Sequence, residues 1–174
     1  MTDQKPSEPE IDRTNWPSGP WDSEPDRIEW RMSEPPGYPC LIVRGPLGAL
    51  CGYVGVPPGH PAHSKTGDEV EVSVHGGVTF ADRCSGRVCH VPRPGEPEDV
   101  WWLGFDTGHA FDFIPSIAAG LGSLPGRNGV TAYVEWYADM RYRDVAYVRA
   151  EVEQLAAQLA QMAVHEHVTT EEPT

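Results

Sequence analysis

The chain has 174 residues, 39% of them hydrophobic, and contains 18 glycines and 18 prolines. This length allows one domain with a core, while the many turn-forming residues disfavour an all-helical bundle. Asp and Glu outnumber Lys and Arg by 26 to 13, and the resulting formal charge of −13 repels phosphate backbones, which disfavours general nucleic-acid binding.

The sequence contains no run of about 18 apolar residues, which a membrane span needs. Its first residues, MTDQKPSEPE, lack the basic and apolar regions of a signal peptide, so we expect a cytoplasmic protein without membrane contact. In that compartment the four cysteines, at positions 40, 51, 84 and 89, are expected to remain thiols. They include no Cys-x-x-Cys pair, so a zinc ribbon is not predicted.

The two ends of the chain are polar and acidic. Residues 1–15 and 164–174 bury too little apolar area to offset the entropy of ordering, so we expect disordered tails around a single domain at 16–163. The domain begins with Trp16, Trp21 and Trp30, which are too many large aromatic side chains for a solvated linker. Prolines in the same stretch exclude a long helix, and we predict an aromatic arm that wraps the core.

Four segments predict strands. Residues 38–44 (YPCLIVR) and 49–56 (ALCGYVGV) flank a connection that contains Gly and Pro, which predicts an antiparallel hairpin. Residues 69–75 alternate between valine and polar side chains, which predicts a third strand, and the VTFA run at 78–81 continues it past a bulge. Residues 100–105 (VWWLGF) predict a further buried strand.

The C-terminal segment changes to a helical period. From Val145 to Met162, apolar side chains recur at intervals of three and four residues, which is typical of an amphipathic helix. Residues 130–140 fit a helix or a strand. The predicted fold class is therefore α+β, with a small, mostly antiparallel sheet, the long C-terminal helix against one face and the N-terminal aromatic arm across an edge.

Titratable side chains lie among glycines in two segments. His75 ends the predicted third strand and precedes Gly76 and Gly77, where the backbone can approach a ligand closely, so we predict both glycines as ligand contacts. The second segment follows the last predicted strand and carries two acids and an imidazole.

Asp106, His109 and Asp112 are spaced three and three, so neighbouring members could face one ligand if the chain becomes helical there. A cluster of imidazole and carboxylate groups suits a divalent metal such as Zn, Mn or Mg, which could activate water for hydrolysis. We predict His75, Asp106 and His109 as catalytic residues, and the same three residues together with Asp112 as metal ligands.

Structural roles are the alternative for these residues. Asp106 fits an N-cap, His109 a half-buried structural histidine and Asp112 a solvated charge. The loop PPGHPAHSK at 57–65 offers His60 and Lys65 as ligand contacts in a lid, and an ordinary surface loop is the alternative.

Six runs between residues 21 and 159 form a specific set: WDSEPDRIEW, YPCLIVRG, LCGYVGVPPGHP, VHGGVTF, HVPRPGEPEDVWWLGFDTGH and YRDVAYVRAEVEQLAAQL. Together they resemble a family of small hypothetical proteins of bacteriophages, prophages and bacteria. The resemblance implies a compact cytoplasmic α+β protein of phage origin, but it implies no activity and no catalytic residue. Where such proteins read GFDCAH, this chain has Thr107, which weakens a thiol mechanism at that position.

Two hypotheses about function follow. The first is a metal-assisted hydrolase, or another enzyme of small nucleotide-like ligands, with a divalent metal as cofactor. The second is a non-catalytic phage or bacterial accessory protein that binds a host protein or a small ligand through its acidic surface and its helix.

Overall fold

Five antiparallel strands form one sheet in the computed structural model, which describes residues 11–34, 36–122 and 139–169. The strands are β1 (Arg27–Arg31), β2 (Pro39–Arg44), β3 (Leu50–Val56), β4 (Phe80–Arg83) and β5 (Trp101–Asp106), in the spatial order β1-β2-β3-β5-β4. Within these described residues, two α-helices follow, α1 (Pro115–Gly122) and α2 (Val145–Thr169). The predicted α+β class is confirmed, and so is the antiparallel hairpin of β2 and β3.

The long helix packs on one face of the sheet, as its apolar spacing predicts. The side chains of α2 that face the sheet are fully buried against β2, β3 and β5, and they are Val148, Val152, Leu155 and Leu159. Side chains alternate along each strand, so a second buried cluster, which includes Leu41 and Trp102, lies on the opposite face. The sheet therefore has apolar packing on both sides.

Three further expectations concern the chain beyond the sheet. Helix α2 ends at Thr169, past position 163, where the sequence analysis placed the end of the domain. Of the ambiguous segment at 130–140, positions 130–138 lie outside the described residues. Within the described ranges, neither helix has the length and apolar character needed to cross a membrane.

Gly52 sets how closely α2 approaches the sheet. A Cβ atom at this position of β3 would lie 2.5 Å from Val152 Cγ2 of the helix and 2.7 Å from the ring of Phe105 in β5. Only a residue without a side chain fits between these two groups.

Gly52→Ala is therefore expected to lower the free energy of unfolding by about 1–3 kcal/mol, because the helix must move away from the sheet. Chemical denaturation measures the change. Gly45→Ala is the control, since its Cβ would meet Ala49 at an ordinary 3.4 Å, and the expected change is below about 0.5 kcal/mol. Equal effects of the two substitutions would contradict this packing.

The aromatic arm ends as a strand at the edge of the sheet. Its last part is β1, in which Trp30 pairs with Cys40 of β2. Trp21 is buried, its ring stacks on Phe113 at a centroid distance of 5.2 Å, and Tyr142 meets the same ring edge-on. The arm thereby connects the β1 edge of the sheet to the segment that leads into α2.

The predicted third strand at 69–75 is wrong. A short 3-10 helix occupies Gly67–Glu69, and the chain at 70–79 belongs to no strand. It runs along α2 instead: the Ser73 amide donates to Gln158 Oε1 at 2.7 Å, and Gln158 Nε2 donates to the Ser73 carbonyl oxygen at 2.9 Å. The valines of this segment pack on the core, so the alternation correctly indicates which side is buried. The backbone of the segment forms its hydrogen bonds with side chains of α2 and not with a neighbouring strand.

The prediction of four free thiols is wrong for Cys84 and Cys89, which form a disulfide. A tight turn between them brings their Cα atoms to 4.6 Å. Cys40 and Cys51 are free, and burial raises their pKa values to about 12 and about 11. Both therefore remain protonated thiols near neutral pH, which makes them poor nucleophiles.

Candidate metal centre

Asp112 is the buried centre of the site, because its side chain is only 1% exposed. Its Oδ1 accepts a hydrogen bond from Arg143 Nε at 2.8 Å. Its Oδ2 lies 2.7 Å from His75 Nε2 and accepts the His109 amide at 3.2 Å. The alternative reading of Asp112 as a solvated charge is therefore wrong.

The carboxylate of Asp112 is held in its ionised form. Burial alone would raise its pKa, but the hydrogen bonds from Arg143 and His75 outweigh burial and leave the pKa below the usual 3.8. The same hydrogen bond raises the pKa of Arg143, so the guanidinium stays charged. At neutral pH the site therefore contains a buried anion that faces a cation on one side and an imidazole on the other.

The first turns of α2 orient the His75 side chain. His75 Nδ1 lies 2.9 Å from the Tyr147 hydroxyl, and the His75 amide donates to Glu151 Oε2 at 2.8 Å. The Tyr147 hydroxyl can donate to Nδ1 or accept from it. Because Nε2 faces the ionised Asp112, it carries a proton and donates to Oδ2. The Tyr147 hydroxyl offers Nδ1 a partner in either protonation state.

A turn with a left-handed residue brings the two histidines together. The Gly77 amide donates to the Val74 carbonyl oxygen at 3.0 Å, and Gly76 between them has a φ of +67°. A Cβ on Gly76 would lie 2.2 Å from His109 Cε1, so the imidazole rests on bare backbone. The centroids of the His75 and His109 rings are 5.5 Å apart. Of the two glycines predicted as ligand contacts, Gly76 thus contacts a residue of the site itself.

Asp106 is the last residue of β5 and His109 lies in the turn that follows, so the helix considered for this segment does not form. Asp106 Oδ1 lies 3.7 Å from His109 Nδ1 and accepts the Gly108 amide at 2.9 Å, while Thr79 donates to Oδ2 at 2.9 Å. His109 Nδ1 is buried, and it has no hydrogen-bond partner among the residues that the structure describes. Asp106 therefore neighbours His109 and is not one of the side chains around Asp112.

Three side chains converge at this centre. His75, His109 and Asp112 each offer one ligand atom, and these atoms all lie within 4.8 Å of one another. Two imidazoles and one carboxylate form a frequent ligand set of metalloenzymes, in which further coordination positions stay open for water or substrate. The structure brings together three of the four predicted metal ligands, and Asp106 is not in the convergent set.

His60, a predicted ligand contact of the loop at 57–65, lies against α2, and its role as a ligand contact stays a prediction. His60 is buried, its Nε2 lies 2.9 Å from the Leu159 carbonyl oxygen of α2, and its Nδ1 accepts the Ala62 amide at 3.0 Å. Both ring nitrogens therefore bond to backbone. Lys65 is exposed, and its carbonyl oxygen accepts the Trp101 indole N–H at 3.0 Å. The structure gives both residues roles in the packing of this loop.

Arg143, Tyr147 and Glu151 belong to the site although the sequence analysis did not select them. Tyr147 and Glu151 are four residues apart, so they project from the same side of α2. This spacing indicates a shared polar side, but its direction towards His75 depends on how α2 packs on the sheet. Arg143 precedes the helix, where the sequence carries no comparable signal.

Phe111, between His109 and Asp112, has an unusual backbone conformation. Its φ is +73°, although its side chain has a Cβ atom and is 66% exposed. The Asp112 amide donates to the His109 carbonyl oxygen at 3.1 Å, which closes a turn that requires this left-handed residue. Glycine occupies such positions without steric cost.

Phe111→Gly is expected to raise the free energy of unfolding by about 1 kcal/mol, because the steric cost of the left-handed conformation disappears. Phe111→Ala retains the Cβ atom and is expected to give no such gain. Thermal unfolding of the two variants provides the measurement. A Gly variant no more stable than the Ala variant would show that the turn is unstrained.

Fold and site together define an α+β protein whose sheet, C-terminal helix and two turns carry a candidate His₂–Asp metal centre. Comparisons with protein-family models, with curated proteins and with solved structures found no match.

Proposed function

We propose that the protein is a metal-assisted hydrolase of a small ligand, with His75, His109 and Asp112 as the ligands of one divalent metal ion. The observation that carries the proposal is the convergence of these three side chains to within 4.8 Å around a carboxylate that is held ionised. Zn, Mn and Fe each accept such mixed nitrogen and oxygen ligand sets.

Neighbouring groups fit the second layer of such a centre. Histidine ligands commonly direct their other ring nitrogen to an oxygen acceptor, which fixes the tautomer. Tyr147 lies at this position for His75, at 2.9 Å. Asp106 Oδ1 is 3.7 Å from His109 Nδ1, which is beyond hydrogen-bond distance. Arg143 fixes Oδ1 of Asp112 and leaves Oδ2 directed at His75. With a metal ion in place of the Nε2 proton, the His75 ring would carry its proton on Nδ1, and the Tyr147 hydroxyl would accept it.

The hydrolytic reaction needs a nucleophile and a proton acceptor. A divalent metal lowers the pKa of bound water towards neutrality and so supplies the nucleophile. The water oxygen forms a bond to the electrophilic atom of the substrate, the bond to the leaving group breaks, and the water proton ends on the leaving group. Asp106, with a 38% exposed side chain beside His109, is the carboxylate we assign to carry that proton.

The test is metal content followed by activity. Chain purified without a metal-binding tag is loaded with Zn²⁺ or Mn²⁺, desalted and analysed by mass spectrometry, and hydrolysis of p-nitrophenyl phosphate and of nucleotides is measured with and without a chelator. We expect about one metal per chain, lost in His109→Gln and retained in the control His63→Gln, whose ring contacts Asp99 and Ser64 instead.

Each result decides part of the proposal. Metal retained by His109→Gln, or absent from the wild-type chain, contradicts the metal centre. Metal bound at one equivalent with no hydrolysis of any phosphate or nucleotide substrate contradicts the hydrolase and leaves a metal-binding protein.

A further inference from the structure

Phe111 is an exposed aromatic residue in the turn that holds two of the candidate metal ligands. Its side chain is 66% exposed, and the turn that carries it begins at His109 and ends at Asp112. Singly exposed apolar side chains are common on protein surfaces. Phe111 differs from these side chains, because its left-handed backbone conformation costs free energy while its exposed ring gains little from burial.

The fold fixes the position of this residue from both sides. The Phe111 carbonyl oxygen accepts the Arg141 amide at 3.0 Å, and the Phe113 amide donates to the Arg141 carbonyl oxygen at 2.9 Å. The Phe113 ring stacks on the buried Trp21. The exposed ring therefore stands on a turn that is bonded at both ends, and it is not at the tip of a free loop. Conformational strain of this kind is concentrated at binding and active sites.

Arg141 adds a cation on the same segment. Its backbone pairs with the strip of chain that carries Phe111 and Asp112, and its side chain is exposed. Arginine binds phosphate groups through two parallel N–H donors. The turn thus carries an exposed aromatic side chain directly before Asp112, and its backbone pairs with an exposed arginine, on a strongly acidic chain.

We propose that Phe111 is the substrate-binding residue for the base of a nucleoside phosphate, and that Arg141 binds the phosphate. The base stacks on the ring, since every nucleobase offers a flat π-face to an aromatic side chain. The phosphate lies between Arg141 and the His75, His109 and Asp112 cluster. This inference rests on the proposed function, because it names the substrate class of the same site.

The experiment compares four nucleoside monophosphates with ribose 5-phosphate, which lacks the base. Calorimetry measures the dissociation constants of AMP, GMP, CMP and UMP, and of ribose 5-phosphate, for the metal-loaded chain, and metal content is recorded for every variant. Phe111→Gly is expected to weaken binding of the preferred nucleotide by roughly 5- to 150-fold and to leave ribose 5-phosphate unchanged. Phe111→Trp restores nucleotide binding, and Arg141→Gln weakens both kinds of ligand.

The outcomes separate this inference from the metal proposal. Equal nucleotide binding by the wild-type and Phe111→Gly chains, with metal retained, overturns the role of Phe111 and leaves the metal centre intact. Failure of all four nucleotides to bind the wild-type chain also overturns it. A wild-type chain that binds no metal contradicts the proposed function. Base-dependent binding to Phe111 in that metal-free chain would still support the stacking role. Phe111→Ala repeats the test should the glycine variant misfold.

Discussion

Arg44→Met is expected to lower the free energy of unfolding by about 3–5 kcal/mol, because it removes the fully buried cation of an ion-pair network. The Arg44 side chain is 0% exposed. Its guanidinium donates to Glu24 at 2.8 Å, to Asp26 at 2.9 Å and to the Tyr142 hydroxyl at 2.7 Å. The network fastens the aromatic arm to the end of β2 and to the start of α2.

Loss of Arg44 has its largest effect on the ionised carboxylate of Glu24. Burial alone would raise the Glu24 pKa, but hydrogen bonds from Tyr142, from the Val145 amide and from Arg44 outweigh it and leave the pKa lowered. In Arg44→Met the carboxylate remains ionised and partly buried without its cation. Arg44→Met combined with Glu24→Gln is therefore expected to recover part of the lost stability.

Chemical denaturation of both variants tests this account of Arg44. The control is Arg83→Met, which removes a 65% exposed guanidinium that lies 3.5 Å from Asp99, and the expected change is below about 0.5 kcal/mol. A double variant less stable than Arg44→Met alone would show that Glu24 contributes independently of the arginine.

Asp112→Asn has the second large expected effect, a loss of about 3 kcal/mol of unfolding free energy at neutral pH. The amide cannot hold Arg143, the His75 ring and the His109 amide as the buried carboxylate does. Asp106→Asn, at the end of β5 just before this turn, is the matched control. Its side chain is 38% exposed, and we expect a loss of less than about 1 kcal/mol.

The Asp112 contribution also depends on pH. The folded-state pKa of Asp112 is lower than the usual 3.8, so the folded state binds a proton less readily than the unfolded state. Its stabilisation is complete above the unfolded-state pKa and disappears as the pH falls through the folded-state pKa. The stability difference between wild type and Asp112→Asn should therefore shrink below about pH 4. A difference that stays constant down to pH 3 would contradict the ionised carboxylate.

Periodicity predicted the elements whose packing is regular. The spacing from Val145 to Met162 identified α2 because every buried seam residue faces the same sheet. The hydrophobic runs of β2, β3 and β5 were recognised because each is flanked by turn residues. The alternation at 69–75 predicts a strand wrongly. Alternation indicates which side chains are buried, but it does not distinguish a segment that pairs with a strand from one that packs along a helix.

Part of the site could be predicted from the glycine-flanked histidines and acids. His75 and Gly76 were selected because glycine permits close approach, and the structure shows that the group approaching Gly76 is the His109 ring. The burial of Asp112 could not be predicted, because it depends on Arg143, which is brought to it through tertiary structure. His60 was selected for its loop sequence, and its burial beneath α2 has no sequence signal.

The measurement that tests the metal centre most directly is nitrogen NMR of the histidine side chains during titration with Zn²⁺. Zinc binding at the convergent site predicts that ring-nitrogen signals of both His75 and His109 change together and reach saturation at one equivalent, while the buried His60 signal stays unchanged. Zinc that shifts other histidines but leaves those of His75 and His109 in place would contradict the proposed centre.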